Sequence, residues 1–167
     1  MNDVPLIPRR DDMGQKISQL RPTGSGSAGA SKEAEEYRLE DYAGTFYYSV
    51  GGKETFKKLT EIFYREVEKD PDFRAMYPEE DLRPAQVRLQ LFLEQYWGGP
   101  TTYGEHRGHP RLRMRHHPFP VNSMNRDKWL AFMRTALDEM ALPQLQDATL
   151  WDYFERAAHS LQNTPDN

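Results

Sequence analysis

An all-α domain is what this chain predicts, and three observations carry that expectation. Apolar side chains recur at three- and four-residue steps after residue 41, proline and glycine fall between those series, and no stretch alternates apolar with polar residues as a half-buried strand would.

The elements follow in order. Thr45 to Val50 makes a short turn of helix that Gly51-Gly52 ends. Phe56, Leu59, Phe63 and Val67 then place one apolar stripe on a helix of about 53–69, with Tyr64 beside it. Asp70-Pro71 caps a short helix carrying Phe73, Met76 and Tyr77, and Pro78 stops it. Pro84 opens a longer helix with Ala85, Leu89, Phe92, Leu93 and Tyr96 on one face, ended by Gly98-Gly99-Pro100. Residues 101–120 are punctuated by proline and glycine and have room for one short helix around Leu112–His116. Asn122 or Ser123 caps the next long helix, where Trp129, Leu130, Met133, Ala136, Leu137 and Met140 form an i, i+3, i+4, i+7 series, and Pro143 breaks it. The last helix is expected to begin near Asp147 and to bury Leu150, Trp151, Phe154, Ala157, Ala158 and Leu161.

Length and composition bound the function. A chain of 167 residues suits one core. Residues 1–40 contain RPTGSGSAGASKEAEE, with almost no large apolar side chains after Leu20, and read as a disordered tail before a domain at 41–167. Twenty-two Lys+Arg against 26 Asp+Glu leave a formal charge of −4, so no field over the whole molecule favours nucleic acid or an anionic membrane. The absence of cysteine excludes disulfides, thiolate metal sites and thiol nucleophiles, and suits a reducing cytoplasm, the expected location. Val4, Leu6 and Ile7 are interrupted by Pro5 and Pro8 and make no signal-peptide core, and no run of about 18 apolar residues could span a membrane.

The stretch HPRLRMRHHPF at 109–119 concentrates imidazole and guanidinium in an acidic protein. A nucleic-acid surface would extend over neighbouring elements, but these carry Glu94, Glu105, Asp127, Asp138 and Glu139. A zinc site would have to draw on His106, His109, His116 and His117, whose spacing fits no tetrahedral pattern. Adjacent helical side chains diverge by about 100°, so at most one of His116 and His117 faces inward. On the residues alone, a histidine bound to a cofactor and a plain polar histidine both remain open, and the arginines suit a small anionic group.

FYREV at 63–67, MYPEEDL at 76–82, RLQLFLEQYWGGPTTYGEHRGHPRLRMRHHPF at 88–119, the Trp129 helix and AAHSLQN at 157–163 together resemble the group II truncated haemoglobins, over about Gly44 to Asn163. The resemblance implies a truncated globin, a two-over-two helical sandwich around haem b, with the helix under the haem reduced to a turn. It makes His116 the proximal iron ligand through Nε2. Arg88 and Arg115 become the first choices for the haem propionates, with Tyr103, His109 and Arg111 as weaker ones. Family positions that face bound ligand map onto Tyr64, Tyr77, Ala85, Leu89 and Trp129, with Ala85 where many globins place a larger gating residue. Leu89, Phe92, Met114 and Phe119 are expected to keep the surroundings dry.

The function so implied is reversible binding of O₂ and other diatomic ligands at a five-coordinate iron, as in oxygen transport or storage, with slow release because phenol and indole donors favour a polarised ligand over neutral CO. The alternative is a haem redox enzyme, peroxidase-like or oxidising nitric oxide. Phenols and indole are poor bases near neutral pH, which favours a binding protein over an enzyme. The resemblance also implies a reductase, still unidentified, and allows self-association.

Overall fold

Side-chain caps start three of the helices in this protein, for which a computed structural model describes residues 38–166. A 3-10 turn at Leu39–Tyr42 precedes α1 (Phe46–Ser49), whose cap Thr45 accepts a hydrogen bond from the Tyr48 amide. Gly51 at φ 107° and Gly52 at φ 67° turn the chain through the left-handed region into α2 (Lys53–Lys69). Asp70 then caps α3 (Pro71–Arg74) through the Phe73 amide at 3.0 Å. After α4 (Arg83–Tyr96), α5 (Thr102–Arg107) and α6 (Leu112–His116), Asn122 caps α7 (Ser123–Met140) through the Asn125 amide at 2.9 Å. The last helix is α8 (Gln144–Leu161). Among the described residues there is no strand.

The expected all-α, two-over-two arrangement is what forms. Helix α2 packs across α7 and alongside α4, and α7 packs alongside α8, so two helices lie over two. The stripe predicted for α2 is buried: Phe56, Leu59, Phe63 and Val67 are all shut off from solvent and share one core with Met133, Ala136, Leu137, Leu150 and Phe154. A fully buried apolar side chain of this size contributes about 1.5–3 kcal/mol.

Three boundaries depart from the sequence reading. Residues 101–120 hold a second short helix, α5, because tertiary contacts reward it: Tyr103 is buried edge-on to Phe92 at 5.5 Å, and the Gly104 amide donates to Gln95 Oε1 at 2.7 Å. Helix α8 begins at Gln144, not near Asp147: α7 closes at Ala141 in left-handed backbone (φ 50°), and Pro143 at φ −52° is already the cap of α8. Met76 and Tyr77 lie beyond α3, in the turn that follows. Most of the segment expected as a tail lies outside the described residues. Its final residues, Leu39 and Glu40, belong to the 3-10 turn, where Leu39 packs on the core.

One buried acid stands apart from that core. Glu94 is 2% exposed, and Gln90 Nε2 donates to it at 3.3 Å. Burial pushes its carboxyl up to about 7, against smaller downward pulls from that hydrogen bond and the Lys53 charge. A carboxyl in the unfolded chain titrates near 4.5. Between these pH values the folded chain holds a proton that the unfolded chain has released, so this residue's contribution to stability falls as pH rises from 4.5 to 7. Glu94→Gln is therefore expected to remove that part of the pH dependence. Urea midpoints for both proteins measured across the window should diverge with rising pH, in the variant's favour. A gap independent of pH would mean that Glu94 titrates normally.

Candidate functional site

A cavity of about 530 Å³ opens between α2 and α4 on one side and α6, α7 and α8 on the other. That volume lies within the roughly 300–1,000 Å³ of small-molecule and cofactor pockets. Tyr64, Ala85, Leu89 and Phe92 contribute one wall, and Trp129 and Phe154 face it from α7 and α8. Its surface is mostly apolar, with polar groups confined to a few positions.

His116 is the last residue of α6 and the only histidine lining the cavity. Its Nδ1 sits 2.6 Å from the Leu112 carbonyl oxygen. A carbonyl can only accept, so Nδ1 carries the proton, and a neutral ring then leaves Nε2 with a free lone pair. Such a bond from the far ring nitrogen orients an imidazole for metal ligation. Phe119 packs edge-on to the ring at 6.5 Å. His117, on the adjacent face, is exposed.

Elsewhere in the lining Tyr64 and Tyr77 meet edge to face at 5.7 Å. Burial pushes both phenols up, Tyr64 well above the ordinary range. Both therefore stay protonated at any ordinary pH. Trp129 stacks edge-on against Phe63 at 5.5 Å and Phe154 at 5.7 Å, and among the described residues its indole N–H has no hydrogen-bond partner. Arg74, which the sequence reading did not single out, holds this side in place by donating to the carbonyls of Tyr77 at 3.2 Å, Glu79 at 2.8 Å and Glu80 at 2.9 Å.

The cavity mouth is cationic. Arg88 lines it and pairs with Glu79 at 2.8 Å, and that guanidinium holds the Glu79 carboxyl below the usual carboxylate range. Arg115 donates to the carbonyls of Pro110 at 2.7 Å and Arg107 at 3.2 Å, and it has no carboxylate partner among the described residues. Arg107 and Arg126 also line the cavity.

Of the residues expected here, Tyr64, Tyr77, Ala85, Arg88, Leu89, Phe92, Tyr103, Arg115, His116, Phe119 and Trp129 line the cavity, whereas His109, Arg111 and Met114 do not. Met114 is 59% exposed, because two residues before His116 is about 200° around a helix, on its far face. Arg111 takes a left-handed backbone (φ 45°) as the cap of α6 and is exposed. His109 Nδ1 accepts the Arg111 amide at 3.1 Å, which ties both residues into the turn. Tyr153, also in the lining, was missed although it lies one turn from Leu150 and Ala157 on the α8 stripe.

Haem fits this donor set. Among the described residues no group of three His, Asp or Glu comes together to hold a bare ion. A single imidazole in an apolar slot suits a metal whose other ligands come from a flat macrocycle, and cationic side chains at the mouth suit its carboxylates.

Comparison with known proteins agrees. The bacterial-like globin family matches residues 45–163. A thermostable haemoglobin of the actinobacterium Thermobifida fusca is 56% identical, with a TM-score of 0.72 over 73% of this chain and 99% of its own. The haemoglobin of the phototroph Chloroflexus aurantiacus is 47% identical, with a TM-score of 0.69 over 71% of this chain and 98% of its own. The group 2 truncated haemoglobin YjbI of Bacillus subtilis is 39% identical over 57% of this chain and 71% of its own length. Taken with the cavity and its lone inward imidazole, these matches show that the chain belongs to the bacterial-like globins, as a group II truncated haemoglobin whose family cofactor is haem b.

Proposed function

We propose that the chain binds O₂ and related diatomic ligands reversibly, with His116 as the axial ligand and Trp129, Tyr77 and Tyr64 acting on the ligand side. The observation that carries this reading is the convergence of one inward imidazole, two phenols and an indole on a single, mostly apolar cavity. Haem, when bound, supplies an iron atom whose open face takes diatomic ligands.

The side chains divide the remaining work. The His116 Nδ1–H bond to Leu112 fixes the ring's tautomer and keeps Nε2 a base. Arg88 and Arg115 would hold the negative charge of the propionates, with Arg88 sharing its fork with Glu79. Tyr64 and Tyr77 each bring a protonated hydroxyl to the cavity lining. Trp129 contributes an N–H with no competing partner among the described residues. These donors stabilise a ligand that takes on negative charge and do little for neutral CO. Ala85, with a single methyl group, leaves the path past α4 open, while Leu89 and Phe92 exclude water.

Binding is favoured over redox catalysis because, among the described residues, the one carboxylate lining the cavity is paired with an arginine. The phenols stay protonated, the indole has no lone pair to offer, and Glu79 is occupied by Arg88.

His116→Gly is expected to lose haem or hold it exchangeably, with partial recovery in free imidazole, while His117→Gly keeps it. Absorption spectra of the two purified variants check this, and the reverse pattern would move the ligand to residue 117.

Removing one hydrogen bond to a polarised ligand costs about 1.5–3 kcal/mol, so Trp129→Phe and Tyr77→Phe should speed O₂ release roughly ten- to a hundredfold, with CO release much less affected. Tyr64→Phe should do less. The Trp129/Tyr77 double variant should be non-additive. Stopped-flow dissociation of both gases is the test, and equal effects on O₂ and CO would reduce these residues to core packing.

A further inference from the structure

Beyond Leu161 the chain leaves α8 and runs back under α6, where residues 162–166 meet the loop that follows His116. Asn163 makes most of the contacts. Its Nδ2 donates to the carbonyl of His116 at 3.1 Å and to that of Phe119 at 3.0 Å. Its Oδ1 accepts from the Val121 amide at 3.0 Å and the Thr164 hydroxyl at 2.8 Å. A primary amide has two protons to give and two lone pairs to fill, and all four are used here. Its backbone amide adds a fifth bond, to the Val121 carbonyl at 2.9 Å. On either side, Gln162 accepts from Arg126 at 2.7 Å, and Asp166 accepts from the Ser123 hydroxyl at 2.6 Å.

A five-residue helix cannot hold its own shape, since nucleation alone outweighs the hydrogen bonds it gains. Helix α6 ends at His116, whose carbonyl is one of the orphan acceptors of a helix terminus. That carbonyl is held from two directions, by the Phe119 amide at 2.9 Å and by Asn163. The backbone of the ligand residue is thus anchored by a side chain 47 positions away, and the ring by Leu112.

We propose that Asn163 is a positioning residue for His116, setting the height and rotation of the imidazole under the cavity through the His116 and Phe119 carbonyls. The inference rests on His116 being the axial ligand.

Two substitutions in the full-length haem protein separate positioning from simple tethering of the C-terminus. Asn163→Ala removes every side-chain bond. Asn163→Asp keeps an acceptor for Val121 but loses both donors and sets a negative charge against two carbonyls. Asp166→Ala, which removes the bonds that both the Ser123 amide (3.0 Å) and the Ser123 hydroxyl (2.6 Å) donate to the far end of the segment, is the control. The readouts are the iron–imidazole stretching frequency of the reduced, ligand-free protein and the rate of haem transfer to an excess of haem-free acceptor globin. Both Asn163 variants should shift or broaden the stretch and release haem roughly tenfold faster, with Asp no better than Ala, while Asp166→Ala leaves both readouts near wild type. Amide exchange at Phe119 and Val121 should quicken in the Asn163 variants alone. An unchanged stretch in both Asn163 variants, or an equal effect of Asp166→Ala, would overturn the proposal and leave Asn163 a tether. A wild-type stretch in His116→Gly would instead refute the axial-ligand reading, and the inference would fall with it.

Discussion

A cavity of about 530 Å³ sits where a small domain would otherwise put packed side chains, and its walls must stay apart without the contacts that normally fill a core. Stiff aromatic pairs supply that resistance. Phe63 meets Tyr64 at 5.0 Å and Trp129 at 5.5 Å, Tyr64 meets Tyr77 at 5.7 Å, and Phe73 meets Phe132 at 5.1 Å, all edge to face. Each ring braces the next, so the donors on the ligand side have little freedom to collapse inward. The α2 stripe serves the same end: Phe63, fully buried, carries the crossing with α7 and also positions Tyr64 and Trp129. Cofactor binding would supply the missing interior contacts and would stabilise the folded chain accordingly.

The long helices hold themselves by their buried faces, but the residues closest to the chemistry lie on short or irregular pieces that others must hold. Tyr77 is in a turn fastened by Arg74, the start of α3 is tied to α7 through the Asp70–Lys128 ion pair at 3.0 Å, and His116 ends a five-residue helix. In each case a charged or amide side chain bonds backbone carbonyls or a helix cap, which fixes the main chain and not merely the neighbouring side chain.

Much of this was legible in the sequence because amphipathic helices announce their buried faces. The stripes of α2, α4 and α7 lie where the spacing of Phe56, Leu89 and Met133 puts them, and the divergence of adjacent helical residues leaves His116 on the cavity with His117 in solvent. Helix α5 was not legible, since Thr102–Arg107 contains a glycine and one large apolar residue, and its stability comes from packing against Phe92 and Gln95 on α4. Ion pairs were equally hidden: nothing local to Arg88 reveals that Glu79 reaches it, because exposed charges carry no periodicity. Met114 shows the limit of reading a loop by composition, as an apolar residue next to a ligand position need not share its face.

The account stands or falls on a titration of the haem-free protein with haem, followed by reduction under an inert gas and then exposure to CO. It predicts a sharp Soret endpoint at one haem per chain, a five-coordinate high-spin spectrum in the reduced protein, and complete conversion on adding CO. An absence of saturable binding, or a reduced spectrum already six-coordinate with a side chain on the ligand face, would contradict the assignment of His116 to one side of the cavity and hydrogen-bond donors to the other.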